Sequence, residues 1–206
     1  MSETIALIDF GAGNLHSVHN ALMAAGATNV MVTADPRMVA RADRIILPGV
    51  GAFGACRDAL FAIEGMIDAL EQRVRKDGVP FLGICVGMQL LADKGIEFGA
   101  HDGLGWIGGT VKAIIPADST VKIPHMGWND VTPNESDGLL KAGEAYYLHG
   151  YHFEAANEPD ILATTNHGGP LVSAVGRDNM VGVQFHPEKS QAYGLAFLNR
   201  FLEWKP

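Results

Sequence analysis

Cys85, His186 and Glu188 are side chains of the types that together cleave acyl bonds. A thiol attacks as its thiolate. A nearby imidazole takes the thiol's proton and later returns it to the leaving group, while a carboxylate on the other ring nitrogen fixes tautomer and orientation. The surroundings of Cys85 suit that role. Gly83-Ile84-Cys85-Val86-Gly87 follows an apolar run over residues 79–84, and Met88-Gln89-Leu90-Leu91-Ala92 leaves it with helical spacing. Strand, sharp turn and helix in that order make a nucleophile elbow, with the glycines expected to relieve the strained turn. A thiol at the first turn of a helix also meets the positive end of the helix dipole. A cysteine after an apolar strand is more often inert core, and a histidine after one is more often a surface group. Both ordinary readings weaken because a strand over 180–185 delivers His186-Pro187-Glu188 to what should be the same edge. Proline keeps the preceding residue out of helical geometry, so this tripeptide is expected to run extended, with His186 and Glu188 on one side.

The elements that must position these groups alternate. Residues 4–9 form an apolar strand, Gly11-Ala12-Gly13-Asn14 a turn, and Leu15, Val18, Leu22 and Ala25 a helix face. The glycines lack the third member of a dinucleotide-binding fingerprint and are read as a crossover turn. A second strand over 29–32 leads to Asp35-Pro36, a helix start. A third over 44–47 runs into Pro48-Gly49-Val50-Gly51, and helical segments over 53–77 return the chain to the strand before Cys85. This alternation predicts a parallel sheet covered on both faces. Gly49, Val50 and Gly51 should then lie beside the elbow, with peptide N–H groups that together with that of Val86 would make an oxyanion hole. Past Gly95 come shorter strand-like pieces over 109–115, 122–123, 145–148, 151–154, 161–165 and 171–175, then a hairpin turn near Arg177-Asp178-Asn179. They predict an antiparallel extension, closed by an amphipathic helix over 192–204. The expected architecture is one α/β domain spanning residues 1–206, an open mixed sheet with a parallel core flanked by helices.

Composition limits the partners. A formal net charge of -8 argues against a nucleic-acid backbone. With no eighteen-residue apolar run and no basic leader, the chain is expected to be cytoplasmic, without membrane contact. Cys56 and Cys85 are too few for a disulfide scaffold and lack metal-site spacing, and no H-E-x-x-H pair occurs, so neither metal nor cofactor is expected.

The chain resembles the class I, triad-type glutamine amidotransferases, whose fold is flavodoxin-like, and most closely the glutaminase-subunit family of imidazole glycerol phosphate synthases. The resemblance runs nearly end to end. It rests on Asp9-Phe10-Gly11-Ala12-Gly13-Asn14, Pro48-Gly49-Val50-Gly51, the Cys85 elbow through Gln89, Pro124-His125-Met126-Gly127-Trp128-Asn129, and Gln184-Phe185-His186-Pro187-Glu188-Lys189-Ser190. It implies hydrolysis of L-glutamine through a thioester on Cys85, with His186 as acid and base held by Glu188. It further implies substrate contacts from Gln89, Glu97 and the main chain at Gly150 and Tyr151. The ammonia would pass to a (βα)8-barrel cyclase subunit that makes imidazole glycerol phosphate and an aminoimidazole carboxamide ribotide in histidine biosynthesis. Asn14, Trp128 and Lys189 would face that partner, although Trp128 by its chemistry alone fits a core as well. Phe10, Val86 and Gly150 depart from the family's usual residues, Gly150 by lacking a hydroxyl. Two alternatives stay open: the glutaminase that feeds pyridoxal phosphate synthesis, against which the 124–129 segment speaks, and a catalytically silent regulatory subunit.

Overall fold

Four apolar runs build the parallel half of the sheet, β1 (Ile5–Ile8), β2 (Val30–Thr33), β3 (Arg44–Gly49) and β4 (Phe81–Cys85). The computed structural model describes residues 3–117, 120–134 and 138–206. Every residue of β1, β3 and β4 is buried, as strands covered on both faces must be. The helices are α1 (Leu15–Ala24), α2 (Pro36–Val39), α3 (Phe53–Phe61), α4 (Met66–Leu70), α5 (Val86–Gln89) and α6 (Gln191–Glu203). Asp35 starts α2 by accepting the N–H of Arg37 at 2.9 Å, and Pro36 occupies the first turn. From β1 the chain moves outward through α1 to β2, then back past β1 to β3 and β4. Right-handed crossovers therefore put α1 on one face and α2, α3 and α4 on the other.

The later chain supplies β5 (Lys94–Ile96), β6 (Ala100–Asp102), β7 (Gly109–Ala113), β8 (His125–Pro133), β9 (Gly143–His149), β10 (Tyr151–Ala155), β11 (Ile161–Asn166), β12 (Pro170–Arg177) and β13 (Met180–Val183). The main sheet has nine strands in the order β2-β1-β3-β4-β13-β12-β11-β8-β9, parallel as far as β13 and antiparallel beyond it. A second sheet runs β10-β7-β5-β6. The chain steps from β9 in one sheet to β10 in the other across Gly150 alone. Among the described residues no helix is long and apolar enough to cross a membrane.

The mixed sheet, the β12–β13 hairpin turning at Asp178 and the closing helix agree with the sequence. Several local readings need correction. Residues 122–123 are not a strand, and β5, β6 and the nine-residue β8 carried no strand expectation. Polar residues, Gly127 and Pro133 hide β8, although its buried and exposed positions largely alternate. The 180–185 strand ends at Val183. His186 is extended, with φ -99° and ψ 97°, but Pro187 opens a 3-10 turn over Pro187–Lys189, because a fixed φ suits the first helical position.

The elbow glycines serve packing more than strain. The strained residue is Cys85 itself, with φ 55° and ψ -112°. A Cβ on Gly83 would lie 2.6 Å from the carbonyl oxygen of Gly87, and one on Gly87 would overlap the carbonyl oxygen of Leu47. Gly87→Ala is expected to destabilise the fold by about 3 kcal/mol or more, read as a fall in the urea midpoint, since the obstruction is backbone that cannot step aside.

Candidate active site

The carboxyl ends of β3 and β4 border a pocket of about 240 Å³. Cys85 and His186, a hundred residues apart in sequence, both line it. The wall also includes Val50, Gly51 and Val86 on one side and Gln89, Glu97, Gly150 and Tyr151 on the other, with Lys189 at its edge. Gly49, the last residue of β3, pairs with Cys85.

His186 is buried and lines the pocket together with Cys85, while its Nδ1–H donates to Glu188 Oε1 at 2.9 Å. The Glu188 side chain is only 1% exposed. Burial by itself would lower the pKa of His186, but hydrogen bonds to Cys85 and Glu188 and the charges of both groups win and raise it to about 10. The 3-10 turn, not an extended tripeptide, brings ring and carboxylate together. That turn is stitched to β9: His186 N–H donates to the carbonyl of Tyr146, and Ser190 Oγ accepts the N–H of Tyr146 while donating to the carbonyl of His186 at 2.6 Å.

The N–H of Val86 lies in the first turn of α5, where helical pairing leaves it free, and the Gly49–Cys85 ladder pairing turns it toward the carbonyl of Gly49. Val50 is 43% exposed, and Gly51 turns the loop at φ 116°. The Cys56 thiol, on α3, donates to the carbonyl of Val50 at 3.4 Å. Burial, then the charges of Cys85 and Glu97, push the Cys56 pKa up to about 11, so it stays a thiol.

Glu97 Oε2 accepts the N–H of Phe53 at 2.7 Å, fastening the pocket wall to the start of α3. Because Ile114 N–H pairs with the carbonyl of Gly150, the main-chain N–H and C=O of Tyr151 point away from β7, off the open edge of β10. That C=O accepts from His149 Nδ1 at 2.9 Å and Gln89 Nε2 at 3.0 Å. A Cβ at Gly150 would lie 3.8 Å from Ile123, an ordinary contact, so the missing hydroxyl is not dictated by space.

The bond to Tyr151 settles the tautomers behind it. His149 Nδ1 must carry its proton, so neutral His149 accepts at Nε2 from His125 Nδ1 at 2.9 Å. His125 in turn accepts at Nε2 from Asn129 Nδ2 at 3.0 Å. Burial first, and then the charge of His167, lower His125 to about 4. Burial lowers His149 to about 3 against the pull of the Tyr151 carbonyl, with His125, His152 and His167 adding repulsion. Both rings stay neutral in the fold and take up protons on unfolding. Their stabilisation is present above pH 6.5 and is lost as pH falls from there toward 4 and 3. His186 has the opposite sign, its stabilisation being full below pH 6.5 and lost as pH rises toward 10. Thermal midpoints should therefore peak near pH 6.5. They should begin falling on the acid side above the carboxylate range, with about two protons taken up per molecule on unfolding near pH 5.

The proposed docking residues lie around the same rim. Trp128 is 47% exposed, which excludes the core reading. On the outer face of β8 and β9, Met126 pairs across the strands with Leu148 and Trp128 with Tyr146, and Lys189 Nζ lies 5.8 Å from the Tyr146 ring. Asn14 begins α1 beyond the end of β1, where its neighbour Gly13 adjoins Pro48. Gln184, Ser190 and the His125–His149 pair were given no role by sequence reading. All four except His149 fall inside the quoted markers, but their partners depend on strand register.

A nucleophile elbow and a histidine–carboxylate pair share one edge of this mixed sheet, an arrangement suited to acyl transfer. Residues 6–204 match the family model "Glutamine amidotransferase class-I". A solved glutamine amidotransferase superposes with a TM-score of 0.76 at 18% identity, covering 97% of each chain. PurLQS from Thermotoga maritima does so with 0.71 at 18%, covering 98% of this chain and 97% of that one. At those identities the likeness concerns the fold. Imidazole glycerol phosphate synthase subunit HisH of Zymomonas mobilis is 60% identical, covering 100% of this chain and 98% of the relative. The subunit of the same name from Rhodospirillum rubrum is 52% identical over 98% and 99%. The chain belongs to the class-I glutamine amidotransferases and, among them, to the family of imidazole glycerol phosphate synthase HisH subunits.

Proposed function

We propose that this chain hydrolyses the side-chain amide of L-glutamine as the glutaminase subunit of imidazole glycerol phosphate synthase and delivers the ammonia to a (βα)8-barrel cyclase subunit. The observation that carries the reading is the meeting of Cys85 and His186 at one pocket, with Glu188 bonded to His186 Nδ1. His186 accepts the thiol proton, and Cys85 sulfur attacks the amide carbon. The oxyanion would be held by the N–H groups of Val86 and the Gly49-Val50-Gly51 loop. Collapse breaks the carbon–nitrogen bond as His186 protonates the leaving nitrogen, giving ammonia and a thioester. A water activated by His186 then releases glutamate and restores the thiol, while Glu188 holds the ring throughout. Glu97 would pair with the substrate's α-ammonium, and the free N–H of Tyr151 would receive its carboxylate, with Gly150 beside it. Gln89 would contact the amide end.

The exposed Trp128 and its apolar neighbours on β8 and β9 suit an interface anchor, with Lys189 beside Tyr146, and Asn14 at the start of α1 would face the same partner. We read the chain as one cytoplasmic domain acting in a heterodimer. Mixing the purified chain with the histidine-pathway cyclase, and separately with the barrel subunit of pyridoxal phosphate synthase, tests the partner. Glutamine hydrolysis is expected to rise only with the first, most of all with its nucleotide substrate present. A rise with the second alone would transfer the chain to the other pathway. Absence of Cys85 labelling by a glutamine-shaped electrophile in every mixture would leave a silent subunit.

A further inference from the structure

Gln184 stands immediately before the catalytic histidine region, and the reaction above gives it nothing to do. Its side chain is completely buried. β13 and β4 run in register with Val183 beside Ile84, so the next residue of each, Gln184 and Cys85, leave the sheet side by side. A primary amide taken out of water is costly unless its atoms find partners, and an apolar side chain would avoid that cost. Here the partners are both in the site. Gln184 Nε2 donates to Cys85 Sγ at 3.7 Å, and Gln184 Oε1 accepts from Gln89 Nε2 at 3.0 Å.

The second bond fixes the direction of the Gln89 amide. Gln89 Nε2 has two protons, and both are used, one on Gln184 Oε1 and the other on the carbonyl of Tyr151. That carbonyl is held in place by His149. What Gln89 has left for a ligand in the pocket it lines is its Oε1, which can only accept. An acceptor there favours an N–H donor, such as a carboxamide or an ammonium, and repels a carboxylate. The pocket is thereby biased toward glutamine and against the glutamate that hydrolysis leaves behind.

We propose that Gln184 is a positioning residue that acts on both halves of the reaction: its oxygen locks Gln89 as an acceptor toward the substrate amide, and its N–H orients the nucleophilic sulfur. The inference rests on the glutaminase reading and assigns that site its discrimination between amide substrate and acid product. Its two arms are chemically separable. Gln184→Glu keeps an oxygen for Gln89 and loses the N–H on sulfur, whereas Gln184→Leu loses both.

Glutamine hydrolysis by the full chain bound to its cyclase subunit gives a half-saturating concentration and a maximal rate, glutamine carrying the amide N–H that Gln89 Oε1 is to accept. Iodoacetamide reports the sulfur alone. For Gln184→Glu the half-saturating concentration should stay within about twofold while the maximal rate and the iodoacetamide rate fall about tenfold. For Gln184→Leu the half-saturating concentration should also rise about tenfold, the size expected when one buried hydrogen bond is lost. Thermal midpoints show whether each variant is folded, and the isosteric glutamate variant carries the test if the leucine one is not. Values within twofold of the parent for every parameter, or a parallel loss of both parameters in Gln184→Glu, would overturn the assignment. A parent complex that hydrolyses no glutamine would instead remove the glutaminase reading beneath it.

Discussion

Cys85→Ala is expected to stop ammonia release from glutamine, lowering kcat by about 10⁴-fold or more, because no other group in the pocket can form the acyl intermediate. The substitution should be silent elsewhere. Alanine meets the same left-handed backbone at φ 55° that cysteine already tolerates, so the elbow should keep its shape. The packing of Gly83 and Gly87 against neighbouring backbone is untouched, and Cys85 is 4% exposed, inside the pocket and away from the β8–β9 face. Binding to the cyclase should therefore persist, and supplied ammonia should still support the cyclase reaction. Steady-state glutaminase assays alongside binding measurements check both halves. Release at the parental rate would remove Cys85 as nucleophile, whereas joint loss of hydrolysis and binding would mean that the elbow had collapsed. His186→Asn belongs to the same test. Without the ring that bridges Cys85 and Glu188, attack and leaving-group protonation fail together, so the double variant should be hardly worse than either single one.

Sequence reading placed Cys85 and His186 at one edge for a physical reason. Cys85 ends one apolar strand and His186 comes soon after another, and strand ends in an open α/β sheet share one edge, so a hundred residues of separation did not hide the meeting of Cys85 and His186. The local geometry was less accessible. Pro187 constrains the residue before it to be extended but itself begins a tight turn, and only the second fact brings Glu188 onto the ring. Glycine in the elbow suggested backbone freedom, while the structure uses absence of Cβ to let α5 lie on β3 and β4. β8 was missed because its inner positions include His125, a polar residue that stays buried by passing hydrogen bonds to His149 and Asn129. Gln184 was likewise invisible as a functional group: its value depends on which residue of β4 the register sets beside it.

The second large effect expected is dependence on the partner. Glutamine turnover by the isolated chain should be lower than that of the complex with cyclase and nucleotide by about three orders of magnitude, comparable to loss of an oxyanion donor. We assign this dependence to the loop after β3. Gly49 packs so tightly that a Cβ would lie 2.9 Å from the N–H nitrogen of Gly87, Gly51 turns with positive φ, and Val50 between them is exposed at 43%. The Val50 carbonyl is tethered to Cys56 on α3, so the partner-dependent change is assigned to the preceding peptide, which carries the Val50 N–H and the carbonyl of Gly49, the ladder partner of Cys85. The face proposed for docking is mechanically close to the other half of the site, since Tyr146 of β9 is bonded to both His186 and Ser190. A partner that binds the active arrangement more tightly shifts the population toward it by that difference in affinity, and about 4 kcal/mol corresponds to the thousandfold expected. Measuring kcat for the free chain, the binary complex and the nucleotide-bound complex tests the claim. Full activity in the free chain would show that the oxyanion donors are already in place and would leave the triad chemistry standing without a gate. Low activity in all three, with Cys85 still labelled by iodoacetamide, would place the missing donor outside the Gly49-Val50-Gly51 loop.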